Sequence, residues 1–165
     1  MPINREISSL YPPFGRLVTA FLGRWNHDHP TEQAGVFEAL RSFERQAELY
    51  AQGRTIPGNK VTNAPEGFSW HNYGLAVDIV FDADPRKPGM QWTWDGNMPW
   101  KKLSAMGESF GLESAAKWLS FPEYPHFQIT YGLQLTEARE LYDRADLQAV
   151  WNSLDLTRQV QGRKG

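Results

Sequence analysis

Cysteine is absent from the 165-residue chain, and histidine occurs only four times. Without cysteine the protein has no disulfide framework, Cys-rich zinc finger, iron–sulfur cluster or thiol nucleophile. Long apolar runs are also missing, because the longest, residues 74–81, is interrupted by Asp78 and is far shorter than a membrane span. The net charge of −2 provides no broad basic surface, so we expect neither nucleic acid nor a membrane as a partner. Any metal must therefore be held by histidine and carboxylate side chains.

Helical periodicity accounts for several parts of the chain. Hydrophobic residues make up 41% of the sequence, enough for one domain with a core. Their spacing predicts a first helix that starts at Pro12 and Pro13, a second that Ser42 caps, and a third from Trp100 to Phe110. A last helical segment covers residues 136–160. The middle of the chain is left for strands and loops.

Period-two alternation predicts strands at residues 75–81 and 126–131, and a shorter strand is expected at residues 35–40. Residues 53–72 are rich in Gly, Pro, Asn and Thr and form a long loop, which in a compact domain is usually functional. We therefore predict an α+β fold, with a small antiparallel sheet flanked by helices in a single domain over residues 1–165.

Three potential metal ligands lie in or next to two of the predicted strands, the first at residues 75–81 and the second at residues 126–131. Asp78 lies within the first strand, His71 precedes that strand, and His126 begins the second. A catalytic zinc takes three protein ligands and keeps a fourth position for water, and two imidazoles with one carboxylate supply that number. Glu123, three residues before His126, could accept a proton from that water. Taken alone, His71 or His126 is also typical of a buried histidine with a purely structural role.

Three motifs surround these residues. Ser69 to Asp78 reads SWHNYGLAVD, Glu123 to Gln128 reads EYPHFQ, and Arg41 to Gln46 reads RSFERQ. In this order and spacing they resemble the zinc peptidases that cut peptidoglycan stem peptides. That family includes the L-alanyl-D-glutamate endopeptidases of phage endolysins and the vancomycin-resistance-type D-alanyl-D-alanine carboxypeptidases, and the hedgehog signalling domain shares its fold. The resemblance covers about residues 35–131.

The resemblance implies a role for each matched residue. Zinc would be the cofactor, held by three ligands: His71, Asp78 and His126. Glu123 would be the general base. Arg41 would polarise the scissile carbonyl or hold a carboxylate of the substrate, for which a guanidinium is suited. Two further matched residues would line the substrate cleft: Gln46 and Ser69.

Within this family, the motif sequences are most similar to those of the phage endolysins. We therefore expect hydrolysis of the L-Ala–D-Glu amide bond in peptidoglycan stem peptides by a monomer. No apolar stretch follows the first residues, so we expect no signal peptide. A phage lysin would wait in the host cytoplasm and reach the wall after release. A D-alanyl-D-alanine carboxypeptidase on the same zinc site is the alternative. A non-haem iron enzyme, which also uses two histidines and a carboxylate, and a non-catalytic wall-binding module are further alternatives.

Two other groups of potential ligands are expected to be solvated surface. His27, Asp28 and His29 have ligand-like spacing but are predicted to lie in an exposed loop. A second group lacks the glycine and terminal glutamate of a calcium-binding loop; its members are Asp82, Asp84 and Asp95. Neither group is therefore predicted to bind a metal.

Overall fold

A computed structural model describes residues 2–118 and 123–162 of the chain, with side chains as far as residue 159. These residues form two compact units. One contains residues 2–40, 74–118 and 123–129, and the other contains residues 41–73 and 130–162. In the described residues, no helix has both the length and the apolar character needed to cross a membrane.

The described residues form five α-helices and one five-stranded sheet. The helices are α1 (Pro12–Asp28), α2 (Phe43–Ala51), α3 (Trp100–Ser109), α4 (Leu135–Arg144) and α5 (Leu147–Gly162). The strands are β1 (Ala34–Glu38), β2 (Ala76–Asp82), β3 (Trp92–Thr93), β4 (Glu113–Ser114) and β5 (His126–Gln128). The order across the sheet is β1-β2-β5-β4, with β3 also paired to β2, and every pairing is antiparallel.

The first unit is built on one apolar face of this sheet. Strand alternation places Phe81 of β2 on that face, where its ring lies 5.9 Å from Trp25 of α1 and 4.7 Å from Trp100 of α3. Phe127 of β5 lies 5.3 Å from Phe21 of α1. All of these rings except Trp100 are completely buried, and Trp100 is nearly so. The opposite face of β2 and β5 is therefore available for polar side chains.

Gly107 sets how closely α3 approaches β5. A Cβ atom at this position would lie 2.5 Å from the ring of Phe127, closer than side-chain atoms can pack. The glycine lets the helix backbone lie against that ring. Because Phe127 lies between His126 and Gln128, this packing fixes the strand that carries both polar residues.

The second unit is organised around Tyr73, which is completely buried. Its hydroxyl donates a hydrogen bond to the carbonyl of Gly67 at 2.7 Å, and the indole of Trp151 in α5 donates to its backbone carbonyl at 2.9 Å. Phe43 of α2 stacks on Tyr142 of α4, with ring centres 4.6 Å apart. Burial raises the pKa of Tyr73 to about 12, so its hydroxyl stays protonated and can keep donating. These contacts anchor the loop around Gly67.

The predicted α+β fold with a small antiparallel sheet and flanking helices is confirmed. The first helix begins at Pro12 as predicted, and the hydroxyl of Ser42 caps α2 by accepting from the backbone N–H of Arg45. The prediction for the second strand was too long, because β5 ends at Gln128. Tyr131 has φ of 53°, which lies in the left-handed region and does not fit a strand.

Candidate metal centre

Strand register places Asp78 and His126 side by side. The two residues are direct partners in the antiparallel pairing of β2 with β5, so their side chains point to the same face of the sheet. Nδ1 of His126 lies 3.3 Å from Oδ1 of Asp78. Both side chains are largely shielded from water, with 8% of His126 and 20% of Asp78 exposed. A carboxylate and an imidazole so placed form one side of a metal-binding group.

His71 supplies the third potential ligand. It lies in a short 3₁₀ helix, Trp70–Tyr73, and is 1% exposed. Gly74 follows with φ of 67°, a left-handed conformation that favours glycine and turns the chain into β2. One ligand atom each from His71, Asp78 and His126 lies within 4.8 Å of the other two. The structure thus brings together the three residues that the sequence analysis proposed as ligands, and this group could hold a metal ion.

The surroundings of His126 favour its charged form when no metal is bound. Burial lowers the pKa of His126, but the hydrogen bond and negative charge of Asp78 raise it, as do Gln128 and the charge of Glu123. The net effect is a pKa above the ordinary value of 6.5. A cation in place of the proton would meet the same favourable charges.

Glu123 lies in the turn that leads into β5. Its backbone N–H donates to the carbonyl of Ala115 at 3.1 Å, and its own carbonyl accepts from the backbone N–H of His126 at 3.4 Å. The residue is half-buried. The negative charge of Glu123 raises the pKa of His126, so the carboxylate acts electrostatically on the imidazole.

The three residues expected to contact substrate lie in the second unit. Arg41 is 8% exposed, and its Nη1 donates to Oε1 of Gln46 at 3.0 Å. Gln46 is completely buried, and its Nε2 donates to the carbonyl of Ala64 at 2.7 Å. Ser69 is half-buried, and its carbonyl accepts from the backbone N–H of Asn72 at 2.9 Å. Gln46 therefore links Arg41 to the long loop.

Asn72 was not singled out from the sequence, although it follows His71 directly. It is 3% exposed, its Nδ2 donates to the carbonyl of Arg41 at 2.9 Å, and its Oδ1 accepts from the backbone N–H of Gly67 at 3.1 Å. The backbone N–H of Arg41 in turn donates to the carbonyl of His71 at 3.0 Å. Asn72 therefore holds together the backbones that carry Arg41 and His71.

The two groups predicted to be solvated surface are engaged in local contacts. His27 lies in the last turn of α1 rather than in a loop, and 85% of its side chain is exposed. His29 stacks on Trp25 with ring centres 3.9 Å apart. The prediction is wrong for Asp82, which ends β2 and is only 4% exposed, because its Oδ1 accepts from the backbone N–H groups of Asp84 and Gln91. Asp84 pairs with Arg86 at 2.8 Å. These contacts stabilise the helix end and the turn.

Comparison with known proteins finds a match to a family model over the stretch that contains the three potential ligands. Residues 62–129 match a family model described as D-alanyl-D-alanine carboxypeptidase. The matched stretch includes the whole motif from Ser69 to Asp78 and both Glu123 and His126.

Two individual proteins extend this result. The chain is 38% identical over 98 residues to the peptidoglycan L-alanyl-D-glutamate endopeptidase CwlK of Bacillus subtilis (strain 168), a match that covers 57% of this chain and 59% of CwlK. The chain thus spans about three fifths of the length of that relative. Its fold is similar to the crystal structure of the L-Ala D-Glu endopeptidase ChiX of Serratia marcescens, with a TM-score of 0.52 and 22% identity over 76% of this chain and 84% of ChiX. The predicted resemblance is therefore confirmed: this chain is similar in sequence to a peptidoglycan L-alanyl-D-glutamate endopeptidase and in fold to an L-Ala D-Glu endopeptidase.

Proposed function

We propose that this protein is a zinc-dependent peptidase that hydrolyses the L-Ala–D-Glu amide bond of peptidoglycan stem peptides. The observation that carries the proposal is the group of His71, Asp78 and His126 within the stretch that matches a peptidase family. The relation to CwlK, whose name states this bond specificity, supports the choice of substrate.

The donor set fits zinc. Two imidazole nitrogens and one carboxylate oxygen are ligands that zinc accepts, and three protein ligands leave one position for water or substrate. When bound, zinc would supply the Lewis acidity that lowers the pKa of a water molecule and polarises a carbonyl group. His71 and His126 are both almost completely buried, so little water competes with the ion for their nitrogen atoms.

Glu123 is the general base in this proposal. Its carboxylate would accept a proton from the attacking water and later donate it to the nitrogen of the leaving amine, so that the proton is conserved over the cleavage. The position of Glu123 in the turn before β5 supports this role, because the turn ties its backbone to His126. The half-buried setting of Glu123 leaves it accessible to a substrate.

Arg41 is proposed to stabilise negative charge on the substrate. A guanidinium can bind either a carboxylate of the anionic stem peptide or the oxygen of the scissile carbonyl. Gln46 is completely buried and uses both ends of its amide. Within this proposal Gln46 therefore acts by holding Arg41, while Arg41 and half-buried Ser69 contact the substrate.

The description of the matching family as D-alanyl-D-alanine carboxypeptidase makes cleavage of that bond the second candidate. An N-acetylated pentapeptide stem separates the two activities. Incubation with the zinc-loaded protein, followed by chiral chromatography, should show N-acetyl-L-alanine and no free D-alanine. Free D-alanine as the main product would replace the first proposal with the second.

We expect acidification to begin weakening metal binding at a pH above the ordinary histidine pKa of 6.5. The raised pKa of His126 means that a proton competes with the metal at pH values above the ordinary 6.5. As the pH falls below that raised pKa, affinity should fall about tenfold per unit for each proton displaced. Zinc titration against a chromophoric chelator between about pH 8 and pH 5 measures this. An affinity that does not change over that range would contradict the proposed ligand set.

An endolysin role is a further part of the proposal. The motifs from Arg41 to Gln46 and from Glu123 to Gln128 support this role, because their sequences are most similar to those of the phage enzymes. In that role a monomer would remain in the host cytoplasm until released to the wall. Expression inside a bacterium with and without a pore-forming protein would test it, with lysis expected only when both are present.

A further inference from the structure

We propose that Gln128, oriented by Glu113 and Trp118, is a positioning residue that fixes the tautomer of His126 so that Nδ1 is the atom offered to the metal. The inference rests on the metal site of the proposed function. It adds residues that neither the motifs nor the family match assign to any role.

The sheet register creates the arrangement. Gln128 lies two residues after His126 on β5, so the two side chains share a face of the sheet. Glu113 of β4 is the direct partner of Gln128 on one side, and Ala76 of β2 is its partner on the other. The small side chain of Ala76 leaves room for the polar residues on this face.

Four side chains form a continuous series of hydrogen bonds. Nε2 of His126 lies 3.0 Å from Oε1 of Gln128, and Nε2 of Gln128 lies 3.2 Å from Oε2 of Glu113. The other carboxylate oxygen of Glu113 accepts from the indole N–H of Trp118 at 3.1 Å. His126 and Gln128 are nearly completely buried, whereas Glu113 is at the surface.

The chemistry of the end groups sets the direction of every bond. An indole nitrogen can only donate, and an ionised carboxylate can only accept. Gln128 must therefore turn its NH₂ group toward Glu113, which leaves its carbonyl oxygen facing His126. Since that oxygen can only accept, Nε2 of His126 must carry a hydrogen.

The consequence appears at the opposite side of the imidazole ring. A neutral histidine with its hydrogen on Nε2 presents a lone pair on Nδ1. Nδ1 is the nitrogen that faces Asp78, at 3.3 Å from Oδ1. Gln128 thus selects the tautomer whose lone pair points toward the other ligands, as outer partners of metal-binding histidines generally do.

Two single variants test the two halves of the series. Gln128→Met keeps the length of the side chain but removes the acceptor, and we expect zinc affinity to fall about 10- to 100-fold. Glu113→Gln allows the amide of Gln128 to turn around and present N–H to His126, which favours the wrong tautomer. We expect it to weaken zinc binding by about tenfold. Competition with a chromophoric chelator measures both, and because Glu113 is at the surface its variant should fold even if Gln128→Met does not.

A reciprocal exchange separates positioning from general structural support. In the double variant Glu113→Gln, Gln128→Glu, the new carboxylate at 128 accepts from His126 and from the new amide at 113, which accepts from Trp118. All bond directions are restored, so affinity should return to within about threefold of the wild type. Glu108→Gln is the matched control, because Glu108 pairs with Lys117 at 2.7 Å and loses the same charge in the same unit. It should bind zinc like the wild type.

The outcomes distinguish this inference from the proposed function. If the wild type binds no zinc, both fail. If the wild type binds zinc but Glu113→Gln binds equally well, or the double variant is no tighter than Glu113→Gln, only the positioning role is overturned. Two-bond proton–nitrogen NMR of the zinc-loaded protein gives an independent readout. It should show the hydrogen of His126 on Nε2, and a hydrogen on Nδ1 would contradict the inference.

Discussion

Replacing Glu123 with glutamine is expected to reduce hydrolysis of a stem peptide by about 10²- to 10⁴-fold, the usual contribution of a general acid–base group. The amide has nearly the shape of the carboxylate but cannot accept the proton of the attacking water. Zinc should remain bound, because Glu123 is not one of the three proposed ligands and its charge is only one of several that act on His126. Steady-state rates and zinc stoichiometry, measured on the same preparation, test both parts.

The matched control for this variant is Glu140→Gln. Glu140 pairs with Arg144 on α4 at 3.7 Å, and both side chains are well exposed, so its loss should leave activity unchanged. A Glu123→Gln protein that keeps more than about a tenth of the wild-type rate would exclude Glu123 as the general base. Loss of zinc together with activity would instead indicate that the residue supports the metal.

Replacing His71 with alanine is expected to abolish metal binding and activity together. This substitution removes one of the three proposed ligands and leaves a buried space where the imidazole lay. The loss of zinc affinity should exceed the roughly 10- to 100-fold that removal of an outer hydrogen-bond partner costs. Zinc content after dialysis and the dissociation constant from chelator competition measure the effect.

His27→Ala is the control for His71→Ala. His27 is a histidine whose side chain is 85% exposed, so its removal should change neither zinc content nor rate. The result that would contradict the proposed site is a His71→Ala protein that still holds one zinc ion per chain. Activity without zinc in that variant would contradict the zinc mechanism as well.

Local signals in the sequence were enough to predict the elements that carry the site. Pro12 starts α1 and Ser42 caps α2 because each residue acts within a single turn of helix. Alternation over seven residues predicted β2 to within one residue, since a strand of that length shows its period clearly. The resemblance of the three motifs to a family of zinc peptidases then predicted that His71, Asp78 and His126 belong to one group.

Features that depend on register between distant segments could not be predicted. β3 and β4 contain two residues each, too few for a periodic pattern to be visible. The contact of Gln128 with Glu113 joins residues 15 positions apart and exists only because β4 pairs with β5. Asn72 likewise contacts the carbonyl of Arg41, 31 residues away. The partner of each residue in these contacts is known only once the backbone fold is known.

Digestion of purified peptidoglycan sacculi tests the central claim most directly. The wild-type protein would be assayed as loaded with zinc, after removal of zinc by a chelator, and after zinc is added back, with new chain ends identified by mass spectrometry. The account predicts new L-alanine carboxyl ends and D-glutamate amino ends in the first and third samples and none in the second. Release of D-alanine, or equal cleavage in all three samples, would contradict it.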